Sequence, residues 1–168
     1  MKKTALLIVD VQNGLINQTT SIYKSREILD NISSLEQKAR LKDLPIVYIQ
    51  HENNTLIAGN EAWDLHPILS PKKSDIFINK QKSCGFDDNN LKEQLLGLNV
   101  TDLVICGLVS HACVKMTCKG AADHGFEVTL ASDAHSNWRD TAQEIIDQVN
   151  LEMNSIGIII KTSTKIEF

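Results

Sequence analysis

The sequence predicts a three-layer α/β/α sandwich on a mainly parallel β-sheet, and three observations lead there. Short β-branched runs alternate with longer amphipathic segments, the strand–helix rhythm of a parallel sheet whose crossovers cover its faces. Several of the short runs are apolar without alternation, as strands buried on both faces are. The chain has 168 residues, 42% hydrophobic and 23% charged, an ordinary globular composition with length enough for a sizeable core. It shows no internal repeat, low-complexity tract or Pro/Gly-rich linker, so residues 1–168 are expected to form a single domain.

The strand candidates are ALLIVD (5–10), PIVYIQ (45–50), DIFINK (75–80), DLVICGL (102–108), EVTLAS (127–132) and IIIK (158–161). Helices are predicted over 25–43, 89–97, 111–124 and 138–154. The first places Ile28, Ile32, Leu35 and Ala39 on one face, and the last places Ala142, Ile145, Ile146, Val149 and Met153 at helical spacing. Gly125 and Gly157 stand just past the last two, where helices stop. The segment 51–74 fits neither period, and a loop of that length is expected to form a wall of a ligand site.

A net charge of −4 with interspersed signs provides no basic stripe for nucleic acid or an anionic membrane. The N-terminal apolar run ends at Asp10, too short for a secretory signal, and no stretch approaches membrane-spanning length. A cytoplasmic location with reduced thiols is therefore expected. Four cysteines without CxxC or Cys/His ligand spacing argue against a disulfide framework and a zinc site.

Ligands of open α/β sheets bind beyond the carboxyl ends of the strands, so reactive side chains at those ends matter most. Asp10 ends the first strand, Lys80 the third, and the fourth runs into GLVSHAC. Each has a bland reading: a capping aspartate, a solvated lysine, a small buried hydrophobe. Position separates the thiols. Cys106 lies inside an apolar run, Cys118 lies further into the predicted helix, and Cys84 lies in a loop where it is expected to be accessible. Only Cys113 falls where a strand passes through Gly107 into a first helical turn, whose dipole is expected to favour a thiolate. A lysine beside it would lower its pKa further, and a carboxylate could accept its proton.

ALLIVDVQNGL (5–15), KQKSCGF (80–86) with DNNL (88–91), VICGLVSHACV (104–114) and GFEVTLASDAHS (125–136) together resemble the isochorismatase-like cysteine hydrolases, a family that includes nicotinamidases and N-carbamoylsarcosine amidases. The resemblance implies a six-stranded sheet, an Asp10–Lys80–Cys113 triad, and a non-proline cis peptide at Leu108–Val109 that would aim the Val109 N–H, with that of Cys113, into an oxyanion hole. Hydrolysis of an amide or carbamoyl C–N bond through a thioester is the expected chemistry. Gln12, Asn13, Phe86 and His111 lie near the strand ends and are expected to line the substrate site, and Trp63, in the irregular 51–74 segment, is read as either a core plug or the flat face of that pocket. Metal-dependent nicotinamidases carry an Asp-x-His where this chain reads IQHENN, with His51 and Asn53 at those positions. No metal and no cofactor are expected, with His51 and His66 read as structural or pocket-edge residues. A vinyl-ether hydrolase of the isochorismatase type is disfavoured because Cys113 is present, and a catalytically silent binding protein because the triad is intact. A nucleotide-binding module lacks both glycine-rich phosphate motifs. Cys113 and Cys118, five apart, point about 140° apart on a helix and are not expected to pair. The partner is a small molecule, and self-association into a dimer or larger homo-oligomer is expected.

Overall fold

The computed structural model describes residues 3–17 and 20–168. Its strands are β1 (Thr4–Val9), β2 (Ile46–His51), β3 (Ile76–Lys80), β4 (Asp102–Leu108), β5 (Glu127–Ser136) and β6 (Ile159–Lys161). They form one six-stranded sheet in the order β3-β2-β1-β4-β5-β6, and all five ladders are parallel. The helices are α1 (Asn13–Ile16), α2 (Ser25–Leu41), α3 (Leu91–Gly97), α4 (Lys115–Asp123) and α5 (Ala142–Ser155). A π-helical turn, Ser110–Val114, leads into α4, so the single helix expected over 111–124 begins as a wider coil.

β1 shows why its run is apolar without alternation. Ala5, Leu7 and Val9 join a cluster with Leu91 and Leu95 of α3, Cys118 and Ala121 of α4, and Val149 and Met153 of α5. Leu6 and Ile8 join a second cluster with Ile28, Ile32, Leu35 and Ala39 of α2 and with Ile166 near the C-terminus. Every residue from Ala5 to Val9 is 0% exposed. Each such Leu, Ile or Val contributes about 1.5–3 kcal/mol of burial, and the two faces together make the three layers.

Residues 52–74 have no helix or strand of their own but are tied to the rim of the sheet. Asn13 and Gly14 N–H donate to the Asp64 and Ala62 carbonyls, and His66 N–H donates to that of Val11. Further along, Glu36 of α2 accepts from the Tyr48 hydroxyl and the Ser70 N–H, and Arg40 pairs with Asp75. The loop is thus fastened beside the exit of β1.

The structure departs from the expected boundaries for local reasons. Asn89 Oδ1 accepts the Leu91 N–H while its amide donates to the Gly85 and Asp87 carbonyls, a turn that delays α3 to Leu91. Asn137 Oδ1 likewise accepts from Arg139 N–H ahead of α5, which starts at Ala142. β5 runs on past Ser132, its expected end, to Ser136, because His135 and Ser136 pair with Gly107 and Leu108 after a register shift.

Gly107 is where β4 presses hardest on β1. Its φ is +122°, and a Cβ there would lie 2.1 Å from the Val9 carbonyl oxygen. Gly107→Ala is expected to cost about 4 kcal/mol, from strain at positive φ plus overpacking against backbone. Chemical denaturation followed by circular dichroism checks this, and a loss under about 1 kcal/mol would contradict it.

Candidate active site

The strand order reverses between β1 and β4, with β2 and β3 on one side and β5 and β6 on the other. The functional side chains collect at the carboxyl ends there, as the general rule for such sheets requires. Asp10 leaves β1 with φ +51°, a left-handed turn that Asp tolerates better than most residues, and its N–H donates to the Ile49 carbonyl. Lys80 ends β3 with its side chain 0% exposed. Its Nζ lies 2.8 Å from Asp10 Oδ2, 3.3 Å from Cys113 Sγ and 3.1 Å from His51 Nδ1. Asp10, Lys80 and Cys113, far apart in the chain, thus converge on one ammonium.

The electrostatics follow from burial. Desolvation raises the Asp10 pKa, opposed by the Lys80 charge and hydrogen bond. The Cys113 thiol is pushed up to about 12, first by burial and then by the Asp10 charge, with Lys80 opposing. This corrects the expectation of a lowered thiol pKa: Cys113 is partly buried beside a carboxylate, and both effects outweigh the helix terminus. Burial and then Lys80 lower the pKa of His51, so it is neutral and its Nδ1 accepts a hydrogen from the ammonium.

A shared proton explains how a thiol with so high a pKa can still react. With Asp10 ionised, Lys80 charged and Cys113 protonated, the three groups sum to zero. Moving the thiol proton to Asp10 leaves that sum unchanged, whereas losing it to water leaves a buried net negative charge. The high pKa describes only the second process. Asp10 Oδ1 is buried with no hydrogen-bond partner among the described residues, so it has the lone pairs to take the proton.

The remaining expected residues divide. Leu108–Val109 is a cis peptide, and the Val109 carbonyl accepts from Ala112 and Val114 N–H in the turn that carries Cys113. Trp63 and His111 are partly buried, and Trp63 Nε1 and His111 Nδ1 have no hydrogen-bond partner among the described residues. Gln12 is not free to bind a ligand: its amide donates to the His51 and Trp63 carbonyls and its Oε1 accepts from His51 N–H. It fastens the loop to β2. Asn13 Nδ2 donates to the Glu61 carbonyl. Phe86 is 7% exposed and turned into the core, packed on His124 and Phe126 just ahead of β5, where α4 passes it at Gly120. Cys84 is also buried rather than accessible, accepting from Phe86 N–H, and Cys106 and Cys118 are core residues at 0% exposure. His66 Nδ1 accepts from Ile68 N–H within the loop. His51 is the residue that sequence reasoning undervalues. Its signal is its position, the last residue of β2, in register with Lys80.

Comparison with known proteins supplies the family and agrees with the fold. Residues 4–154 match the family model described as Isochorismatase domain. A streptothricin hydrolase of Streptomyces noursei is 30% identical over 155 residues, covering 90% of this chain and 56% of the relative, so the chain spans little more than half of that protein. An isochorismatase of Pseudomonas putida superposes with a TM-score of 0.90 at 25% identity, covering 99% of this chain and 92% of the other. A pyrazinamidase of Pyrococcus horikoshii, solved in complex with zinc, superposes with a TM-score of 0.85 over 95% of this chain and 99% of its own, and at 23% identity shares the fold.

That zinc complex raises the question of a metal here. Among the described residues, Asp10, His51 and Cys113 present donor atoms within 4.8 Å of one another. They do not fit a resident divalent ion, because the Lys80 ammonium already lies within 3.3 Å of a donor atom on each of the three. A second cation would meet it at contact range in a buried setting.

Asp10→Asn removes the carboxylate charge that helps raise the thiol pKa. Cys113 in that variant is expected to titrate at lower pH than in the wild type, and yet to turn over no substrate. The pH dependence of iodoacetamide alkylation, localised to Cys113 by peptide mass mapping, checks the direction. An unchanged or higher thiol pKa would contradict it.

Proposed function

The chain belongs to the isochorismatase family, and from that premise we propose that it is a hydrolase that cleaves an amide or carbamoyl C–N bond of a small polar molecule through a thioester on Cys113. The observation that carries the reading is the convergence of a buried ammonium on both a carboxylate and a thiol. A nucleophilic sulfur so placed favours acyl transfer over vinyl-ether cleavage.

The steps balance around the neutral cluster. Sγ attacks the substrate carbonyl carbon as its proton passes to Asp10, and the carbonyl electron pair moves onto oxygen. The Val109 and Cys113 N–H groups receive that oxyanion. The electron pair returns, the C–N bond breaks, and Asp10 gives its proton to the departing nitrogen. Asp10, again ionised, deprotonates a water that attacks the thioester. Collapse of the second tetrahedral species expels the thiolate, which recovers its proton from Asp10. Lys80 remains an ammonium throughout and stabilises whichever neighbour is negative. His51, neutral, accepts a hydrogen from that ammonium and needs no charge of its own.

The substrate class is drawn from the surroundings. A cleft of about 600 Å³ lined by Glu52, Asn53, Asn54, Thr55 and Gln81 adjoins the ends of β2 and β3, directly after His51 and Lys80. Such a lining suits a hydrogen-bonding small molecule. Streptothricin, the named substrate of the relatives in Streptomyces noursei, belongs in a test panel of small amides, carbamoyl compounds and imides.

Cys113→Ala is expected to stay within about 1 kcal/mol of wild-type stability while turnover falls by a factor of about 10⁴ or more. Intact-mass spectrometry of the wild type with the panel is expected to catch an acyl adduct on Cys113, and full activity in the alanine variant would overturn the reading. Lys80→Met is expected to lose turnover and about 3–5 kcal/mol of stability, since it strands a buried carboxylate. Denaturant titration at neutral pH checks the second figure.

A further inference from the structure

We propose that Ser110, His135 and Asn150 form a buried positioning relay that holds the oxyanion turn in place, acting on the reaction without touching substrate. The inference rests on the functional reading above, which puts the oxyanion against Val109 and Cys113 N–H.

Ser110 follows Val109 and opens the π-helical turn that carries Cys113. Its hydroxyl lies 2.8 Å from His135 Nδ1, and His135 Nε2 lies 3.1 Å from Asn150 Oδ1 on α5. Ser110 and His135 are both 0% exposed. The direction of the hydrogen bonds is fixed from the far end. Asn150 Nδ2 donates to the Ser132 carbonyl, so the Asn150 oxygen faces the histidine and accepts from Nε2–H. His135 Nδ1 then carries no hydrogen and accepts from the Ser110 hydroxyl. Burial pushes the His135 pKa down to about 4, which keeps the ring neutral and this tautomer in place.

The arrangement restrains the turn from two sides. The Val109 carbonyl is held within the turn by Ala112 and Val114 N–H, at 3.1 and 3.3 Å. The Ser110 side chain is held from outside it, by a histidine standing in register with Gly107 on the neighbouring strand. The Val109 N–H, one of the two oxyanion donors in that reading, lies immediately ahead of these two anchors. A fully buried serine–histidine pair is costly to desolvate and adds nothing to apolar packing, so its use lies in fixing direction. Preorganised donors are what an oxyanion site requires.

The test separates two reactions of one sulfur. Acylation of Cys113 by p-nitrophenyl acetate passes through an oxyanion, whereas alkylation by iodoacetamide does not. Ser110→Ala is expected to slow acylation by about tenfold or more, since loss of a whole donor costs about 10²–10³, with alkylation within about twofold of wild type. Ser110→Thr, which keeps the hydroxyl, is expected to restore acylation. Asn150→Ala, which releases the histidine from the far side, is expected to slow acylation selectively and by less, and it carries the test if Ser110→Ala does not fold. Equal acylation in wild type and Ser110→Ala would overturn the relay, as would an equal fall in both reactions, which would mean the thiol itself had moved. If wild-type Cys113 is not acylated at all while still being alkylated, the functional reading falls and the relay falls with it, an outcome distinct from the other two.

Discussion

A buried ammonium gripping a buried carboxylate is the constraint on which the site depends. Lys80 and Asp10 side chains are 0% and 1% exposed, with 2.8 Å between Nζ and Oδ2. Removing both charges from water costs several kcal/mol per ion, so each is tolerable only while the other is present. The sheet order explains the residue type. β3 is separated from β1 by β2, so a side chain from the end of β3 must cross two strand spacings, roughly 10 Å, to reach Asp10. A long cationic side chain can do this, and in crossing the end of β2 it passes His51.

The same pair explains the chemistry at the thiol. A cysteine in an apolar pocket alone would be a poor nucleophile, and its pKa here is pushed up to about 12. A carboxylate whose buried Oδ1 has no hydrogen-bond partner among the described residues, beside a lysine ammonium, lets the sulfur lose its proton without the cluster gaining charge. The thiolate therefore forms when substrate is there to use it, and its exposure to adventitious alkylation or oxidation is low at rest.

Much of this is legible in the sequence, and the reasons are physical. Strands buried on both faces are read from uninterrupted apolar runs; Asp10 and Lys80 are conspicuous because polar groups end such runs, and Cys113 because it falls in the first helical turn after one. The rest depends on what lies across the sheet. His51 looks like an edge residue because its register with Lys80 is set by the pairing of β2 with β3, which no local pattern encodes. Phe86 looks like a pocket residue by its spacing from Lys80, yet the chain turns at Gly85 and delivers the ring to Phe126. The direction of the Cys113 pKa shift is misread from sequence because a helix terminus is visible there and desolvation by distant neighbours is not. Ser110 and His135 are 25 residues apart and meet only through the extension of β5.

The most direct test of the neutral cluster is the protonation state of the resting sulfur. A Raman difference spectrum between wild type and Cys113→Ala isolates the S–H stretch of that one thiol. The account predicts that the band is present at neutral pH and persists well into the alkaline range, consistent with a sulfur that gives its proton to Asp10 and not to solvent. Absence of the band at neutral pH would mean a resting thiolate paired with Lys80, and would contradict it.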